Sequence, residues 1–346
     1  MNRALIECVP NFSEGRDPSI IEMITKPILD TEGVELLDID MGYDFNRTVV
    51  TMVGQPESVL SAVIECTIVA TELIDMSQHS GEHARMGAVD VVPFIPLRGA
   101  SMADCIALSE RYAEAVSSKL NLPVYLYAES SRSDQRVRLP DIRKGEYEGF
   151  QSKLESGDWE PDYGPATFSP KMGVTATGAR QILIAYNVNL DTDDKSIANT
   201  IASAIRTSGS LIRDGSGAKI IGDNGKPLRK PGVFKSLQAA GWMYDENTAQ
   251  VSMNLLNHNV TGLYDVTEKI RDEAKKIGRN VTASELVGLV PLEAMLSAGL
   301  KYHNNPDDAD DIDLVNAAVS GLMLDKFGVF DSRSNIIEWA IMGAHE

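Results

Sequence analysis

The spacing of apolar and polar residues in the first half of the chain predicts alternating strands and helices. Apolar runs with a period of two predict strands, and runs with a period near 3.6 predict helices. In chain order they give a strand at 4–9, a helix at 18–29, strands at 34–40 and 47–53, a helix at 57–76, a strand at 89–95, a helix at 103–120 and a strand at 124–127. The order β-α-β-β-α-β, followed by one more helix and strand, is typical of the split βαβ or ferredoxin-like arrangement. One further helix is expected at 143–156.

The second half repeats this order. Its pattern predicts a strand at 181–190, a helix at 195–207, strands at 234–244 and 250–257, a helix at 266–277, a strand at 281–286 and a helical tail. In a half of this kind the helices cover one face of the sheet. The uncovered face of each sheet must also be buried, most simply by packing against the uncovered face of the other sheet. We therefore predict an α+β fold of two ferredoxin-like α/β subdomains, at 1–178 and 179–346, with sheets facing each other and helices outside.

Three segments fall outside this pattern. Residues 159–178 are rich in Gly and Pro but carry Trp159, Tyr163 and Phe168, which need burial, so an ordered connector is expected. Residues 175–180 read as a tight turn before a strand; a phosphate loop would instead follow a strand and open a helix. The segment 208–232 carries five lysines and arginines and predicts a surface hairpin or mobile lid, and 304–313 predicts an acidic surface turn.

Composition narrows the possible functions. The 346 residues are 43% hydrophobic, with a net charge of -18 and a pI near 4.7. Such a charge repels nucleic acids and anionic membranes, so an anionic small molecule would need a local cluster of Arg or Lys. The three widely spaced cysteines predict buried thiols, with no disulfide framework or metal pair. The first residues lack the apolar core of a signal peptide, and no run reaches the length of a membrane span, so we expect a cytoplasmic protein.

Two of the five histidines lie in one short segment, His79-Ser80-Gly81-Glu82-His83. Its H-x-x-E-H spacing matches a zinc-peptidase pattern, which needs both histidines on one stable helix and a distant third ligand. Gly81 inside the segment, and a strand soon after it, favour a helix end and loop, and no metal is expected. Both histidines can be ordinary surface residues. However, loops that enter central strands often carry reacting groups, which favours His83.

Two carboxylates lie near the end of the second predicted strand. The period of two places Asp38 and Asp40 on one sheet face. If Leu37 and Ile39 face the helices, the pair faces the side where the halves should meet. A carboxylate there can orient an imidazole or hold a substrate amine, and capping of the strand end is the structural alternative.

Several longer motifs closely resemble the glutamate formimidoyltransferase family, including the transferase module of formimidoyltransferase-cyclodeaminase. The matching stretches are 7–16, 37–40, 46–49, 79–96, 123–127, 164–165, 175–180 and 286–292. The resemblance spans nearly the whole chain. It departs at Ala84, where the family commonly has Pro, and in the basic segment 208–232, which is longer than usual.

The resemblance implies a folate tunnel between the halves and a homodimer. It implies that His83 is the catalytic residue and Asp40 its assistant, and that no cyclodeaminase domain follows at the end of this chain. The implied folate-contacting stretch consists of Gly164, Pro165, Ala166, Thr167, Phe168, Ser169, Pro170, Lys171, Met172 and Gly173.

The implied reaction transfers a formimino group between N-formimino-L-glutamate and the co-substrate tetrahydrofolate. His83 would act as acid and base, since its ordinary pKa lies near neutral pH. Both substrates carry carboxylates, for which Arg47, Arg85 and Arg180 are candidate ligands, although each can instead form a structural ion pair. Three alternatives stay open: a related enzyme acting on 5-formyltetrahydrofolate as a formyltransferase or cycloligase, a zinc hydrolase, and a folate-binding regulatory protein.

Overall fold

The computed structural model of the chain describes residues 4–222 and 225–343. The chain forms two compact units, which divide between Gln181 and Ile182. The sequence pattern had placed this boundary between residues 178 and 179.

The first unit is built on one mixed seven-stranded sheet. In chain order its elements are β1 (Ile6–Cys8), β2 (Asn11–Phe12), α1 (Pro18–Leu29), β3 (Val34–Gly42), β4 (Arg47–Gly54), α2 (Pro56–Leu73), β5 (Val89–Pro96), α3 (Met102–Leu120), β6 (Val124–Leu126), α4 (Leu139–Arg143), α5 (Glu146–Glu155) and β7 (Thr175–Ala179). The strands β3, β4, β1 and β5 are neighbours in this order, and every pairing among them is antiparallel. This is the order of the split βαβ unit, so the predicted arrangement is confirmed.

Local signals explain where the helices of this unit begin. Asp17 caps α1 by accepting a hydrogen bond from the Ser19 backbone, and Pro18 occupies the first turn, where its missing N–H costs nothing. At the start of α3, Ser101 and Asp104 form a reciprocal capping box. These fixed starts direct the apolar faces of the helices toward the sheet.

The strand β7 corrects the prediction of a tight turn at 175–180. It lies between β5 and β6 and pairs in parallel with both. A five-residue strand that contains Gly178 shows little periodicity, and its partners lie far away in the sequence, so local pattern could not reveal it. Two smaller predictions are also wrong: the helix at 143–156 is broken at Gly145, whose φ is 91°, and the strand predicted from 181 begins at Ile184.

The two sheet faces of the first unit carry separate apolar clusters. Along β6, Val124 and Leu126 belong to the cluster formed with α1, α2 and α3, whereas Tyr125 belongs to a second cluster. The second cluster contains Ile142 of α4 and Phe150 of α5. The short helices α4 and α5 therefore pack on the sheet face opposite the three long helices, and they approach the start of β5.

The second unit is a smaller sheet with helices. Its elements are β8 (Ile184–Leu190), α6 (Lys195–Ile205), β9 (Ser210–Leu211), β10 (Arg229–Lys230), β11 (Leu237–Met243), β12 (Ala249–Leu255), α7 (Leu263–Lys276), β13 (Val281–Val287), α8 (Leu292–Tyr302), α9 (Asp311–Leu322), α10 (Ser332–Asn335) and α11 (Ile337–Gly343). Four strands lie in the antiparallel order β11-β12-β8-β13. The predicted second ferredoxin-like unit and the helical tail are confirmed, although the strand predicted from 234 begins at Leu237.

Three remaining predictions have mixed outcomes. The basic segment forms a surface hairpin, in which β9 pairs with β10, but residues 223 and 224 lie outside the described part. The acidic segment is a short 3-10 turn, Pro306–Asp308, followed by the capped first turn of α9. All three cysteines are buried as free thiols. Among the described residues, no helix is long and apolar enough to cross a membrane.

Candidate active site

The segment that contains both histidines is a loop, residues 79–87, between α2 and β5. A turn of 3-10 helix, Met76–Gln78, precedes it, so the two histidines do not share a helix. Gly81 passes so close to the turn between β3 and β4 that an added Cβ would lie 2.2 Å from the Phe45 carbonyl oxygen. Only glycine permits this approach, which brings the loop against the start of β4.

Asn46 fastens the loop to this turn. Its side-chain Nδ2 donates to the Ser80 carbonyl at 3.0 Å, and its Oδ1 accepts from the Gly15 backbone at 3.0 Å. The backbone of Asn46 has a φ of 47°, a left-handed conformation that asparagine tolerates better than most residues. The next residue, Arg47, is thereby placed beside His83.

His83 and Arg47 are in direct contact. Arg47 Nη1 lies 2.6 Å from His83 Nε2. A guanidinium can only donate, so Nε2 must accept, and the ring proton of the neutral imidazole must then sit on Nδ1. His83 Nδ1 is buried and makes no hydrogen bond of normal geometry with the described residues, although a weaker interaction with the Ala84 backbone raises the pKa of His83 slightly. The edge of the Phe45 ring also faces the imidazole, at 6.2 Å between centroids.

A second arginine and a buried carboxylate complete the surroundings of His83. Asp90 on β5 is fully buried; it accepts from the Met86 backbone at 3.0 Å and forms an ion pair with Arg143 of α4. Burial, then the charges of Arg47 and Arg143, lower the pKa of His83 to about 4, and Asp90 opposes them. In this state the imidazole is therefore neutral at pH 7.

Asp40 lies on the expected sheet face but does not touch His83. Across the β3–β4 ladder it stands opposite Val49, and Asp38 stands opposite Thr51. A bulge between Leu36 and Asp38 inserts Leu37, so Leu36 and Ile39, rather than Leu37 and Ile39, share the helix-facing side. Asp40 is exposed, and its charge affects the site by acting on Arg47. It raises the pKa of Arg47, although burial lowers that pKa by more.

Arg85 forms ion pairs with carboxylates of its own chain. Its guanidinium binds both oxygens of Glu148, at 2.6 and 2.9 Å, and Glu146 at 3.2 Å, and these contacts raise its pKa. Its Nε also donates to His79 Nδ1 at 3.3 Å. Because Glu146 and Glu148 belong to α5, Arg85 ties the loop to that helix.

His79 has both ring nitrogens occupied. Nδ1 accepts from Arg85, and Nε2 lies 2.8 Å from the Asn46 carbonyl, to which it must donate. Residues 4–222 and 225–343 contain no group of three side chains suited to hold a metal ion. An open cavity of about 530 Å³ lies here, lined by His79, Ser80, Gly81, Arg85, Gly145, Glu146 and Glu148.

The stretch from Gly164 to Gly173 runs beside the same loop. Met76 N donates to Lys171 O at 2.9 Å, and Ala88 N donates to Met172 O at 2.8 Å. Gly173 bridges to Gly87, where a Cβ on Gly173 would lie 2.3 Å from the Met86 carbonyl oxygen. Phe168 packs on Tyr147 of α5, at 5.2 Å between ring centroids. The predicted folate stretch and the His83 loop therefore come together.

Arg180 does not join this group. It follows β7, which runs parallel to β5, so it lies at the opposite end of these strands from residues 79–87. Seven residues separate it from Gly173, which corresponds to roughly 20 Å of extended chain. Its Nη1 donates to the Gln181 carbonyl at 2.9 Å.

Sequence reasoning missed Asp90 and Arg143. The available signal was Asp90 itself, a charged residue inside the apolar run Val89–Pro96, because a carboxylate in a buried strand requires a partner. The partner could not be identified from sequence, since Arg143 lies 53 residues away.

Comparison with known proteins identifies the family. The model of the N-terminal subdomain of the formiminotransferase domain matches residues 5–180, and the model of the formiminotransferase domain matches residues 185–342. This chain belongs to the formiminotransferase family. The resemblance drawn from its motifs is confirmed.

Three curated relatives show what this formiminotransferase chain is similar to. The chain is 39% identical to glutamate formimidoyltransferase of Streptococcus pyogenes serotype M1, over 88% of this chain and 95% of that protein. It is 44% identical to formimidoyltransferase-cyclodeaminase of Dictyostelium discoideum, over 99% of this chain and 61% of that protein. It is 43% identical to the mouse protein of the same name, over 97% and 60% respectively. The chain thus spans about three-fifths of these longer relatives.

Proposed function

We propose that this chain is a glutamate formimidoyltransferase that moves a formimino group between N-formimino-L-glutamate and tetrahydrofolate. One observation carries the proposal: His83 stands against Arg47 in a loop that packs on the Gly164–Gly173 stretch, within the region matched by the family. A relative that is matched over 95% of its own length bears this name at 39% identity.

The reaction requires one proton to be taken up and one to be delivered. Nitrogen N5 of tetrahydrofolate forms a bond to the amidine carbon and loses its proton, while the bond from that carbon to the glutamate nitrogen breaks and this nitrogen gains a proton. A single imidazole can serve both steps in turn. His83 Nε2 is the atom we assign to this relay.

The other groups of the site have supporting roles in this proposal. Tetrahydrofolate, as co-substrate, binds along Gly164–Gly173, and Arg47 binds a substrate carboxylate through its planar guanidinium. Asp40 stabilises positive charge near His83 through Arg47. Arg85 and Arg180 are weaker candidates for substrate contact, because Arg85 is paired with glutamates and Arg180 lies at the far strand end.

The proposal extends to the cellular setting. Three free buried thiols suit a reducing cytoplasm, and the strong negative charge argues against nucleic acid or an anionic membrane as partner. We further propose a homodimer, on the resemblance to the family.

The direct test is turnover with N-formimino-L-glutamate and tetrahydrofolate, followed by glutamate release in a coupled dehydrogenase assay. The chain should turn over this pair and not L-glutamate with 5-formyltetrahydrofolate. Turnover of the formyl donor alone would replace the proposal with the related formyl-transfer reaction.

The role of His83 is tested by His83→Asn, which keeps a polar group of similar size. Loss of the acid/base should lower kcat by about 10²–10⁴-fold, with tetrahydrofolate affinity and Tm retained. Activity within a few-fold of the parent would show that His83 is not the relay.

The role of Asp40 is tested by Asp40→Asn, with Asp38→Asn on the same sheet face as the matched control. The first change should lower kcat by roughly tenfold, which corresponds to about 1.4 kcal/mol, and the control should lower it less. Equal effects would remove Asp40 from the mechanism.

A further inference from the structure

The Nε2 lone pair that His83 needs to act as a base is occupied by a hydrogen bond. Because Nδ1 carries the ring proton, Nε2 is the only nitrogen of the neutral imidazole that can accept another, and Arg47 Nη1 donates to it at 2.6 Å. A second proton on Nε2 would point directly at the N–H of a cation. In this arrangement His83 cannot accept a proton from a substrate.

We propose that a substrate carboxylate unmasks the base by drawing the Arg47 guanidinium away from His83 Nε2. The inference rests on the proposed function and adds a step to it. Substrate binding and activation of the base become one event.

Arg47 is suited to this exchange because no carboxylate of the described chain is in direct contact with its guanidinium. Among the described residues, no carboxylate lies within ion-pair distance of it; Asp90 and Asp40 raise its pKa by their charge alone, and burial lowers that pKa by more. An arriving carboxylate offers two charged acceptor oxygens, which match the guanidinium better than one neutral imidazole nitrogen. Exchange therefore replaces a weak hydrogen bond with a strong one.

Arg143, the other arginine near His83, is held in place. Its Nη2 forms an ion pair with Asp90, and the Asp90 carboxylate is fully buried. Moving Arg143 toward a substrate would leave this carboxylate without a counterion, which is costly in a protein interior. The two arginines thus differ in their freedom to move, and Arg47 is the one available.

The exchange also changes the basicity of His83. The charged groups that face the ring are Arg47 from β4, Arg143 from α4 and Asp90 from β5. Once a carboxylate neutralises Arg47, one cause of the lowering is removed while burial, the larger cause, remains, so the pKa of His83 should rise above its value of about 4. A base with a pKa near neutral is the more effective proton relay at pH 7.

Imidazole NMR of the full chain tests the proposal, with the His83 signal identified by its loss in His83→Asn. The probe is glutarate, which carries both carboxylates of glutamate but no amine. In the parent chain saturating glutarate should raise the pKa of His83 above its ligand-free value of about 4. In Arg47→Leu the pKa should already be raised without ligand, because the charge of Arg47 is gone, and glutarate should not change it.

Two further variants control for side effects. Arg111→Leu removes an exposed arginine on α3, where it pairs with Glu57 on the helix side of the sheet, and it should behave like the parent. Arg47→Lys keeps a cationic donor and should retain much of the response if Arg47→Leu does not fold, as judged by circular dichroism and Tm.

Three results would overturn the unmasking step. Glutarate could bind by calorimetry yet leave the pKa of His83 at about 4; it could fail to bind; or a folded Arg47→Leu could keep the low value. None of these readouts uses turnover, so the two proposals can fail separately. If the chain is active but the pKa of His83 does not move, only the unmasking step is wrong. If the chain is inactive but the pKa shifts as expected, only the proposed function is wrong.

Discussion

Replacing Arg143 by Met isolates the cost of leaving Asp90 without its counterion. Methionine keeps an unbranched stem and a similar helix propensity, so α4 should persist while the charge disappears. Asp90 is fully buried and would retain only the hydrogen bond from the Met86 backbone. Breaking a buried ion pair from one side costs about 3–5 kcal/mol, and we expect Arg143→Met to destabilise the first unit by this amount.

The double variant Arg143→Met with Asp90→Asn provides the matched control. Asparagine can still accept from Met86 but carries no charge, so the double variant should be more stable than Arg143→Met alone by about 2 kcal/mol. The stabilities would then be strongly non-additive, as expected for two side chains in one pair.

The assay must report on the first unit alone. Trp159 is the one tryptophan of that unit, and it packs on Tyr125 at 6.3 Å between ring centroids. With Trp242 and Trp339 changed to Phe in every variant, urea unfolding followed by fluorescence gives the free energy of this unit. A loss below about 1 kcal/mol for Arg143→Met, or a double variant no more stable than the single, would refute the argument from buried charge.

Three further predictions concern the loop, the histidine and the thiols. Gly81→Ala places a Cβ 2.2 Å from the Phe45 carbonyl oxygen and should lower kcat at least about tenfold, whereas Gly215→Ala, with open space around it, should not change kcat; equal activities would contradict the close approach. The pKa of His83 is about 4 in the folded chain and about 6.5 when unfolded. The unfolded chain therefore binds a proton more readily, so the free energy of unfolding is highest above pH 6.5 and falls as the pH drops from about 6.5 to about 4. His83→Asn should flatten this part of a plot of unfolding free energy against pH. Burial raises the pKa of Cys66 and of Cys105 to about 12, so a thiolate-specific disulfide reagent at pH 8 should label the folded chain far more slowly than the urea-unfolded chain; rapid labelling of the folded chain would show that these thiols open readily.

The periodic elements of both units could be predicted because local sequence specifies them. Ile21, Ile24 and Ile28 repeat at helical spacing in α1, and the βαββαβ order then limits the possible sheet arrangements. The strand β7 could not be predicted in this way, because its parallel pairing joins residues such as Val91 and Ala176 that are distant in sequence.

The candidate site was predictable only where it coincides with a motif. His83 and Arg47 lie in recognisable segments, but their contact depends on Asn46 and on the close passage of Gly81, which are tertiary features. Asp40 shows the opposite case: strand alternation gave its sheet face correctly, while distance to the imidazole depends on side-chain positions that alternation does not specify.

The position of β7 has a consequence for synthesis of the protein. Among the strands of the described chain, β7 is the one that pairs with β6, and it also pairs with the outer edge of β5. After Leu126 leaves the ribosome, about 50 more residues must follow before Thr175–Ala179 arrive, which takes roughly 2–10 s at common elongation rates. During that interval an apolar strand edge on β5 stays uncovered, so nascent chains paused in this window would be candidates for chaperone binding and for aggregation.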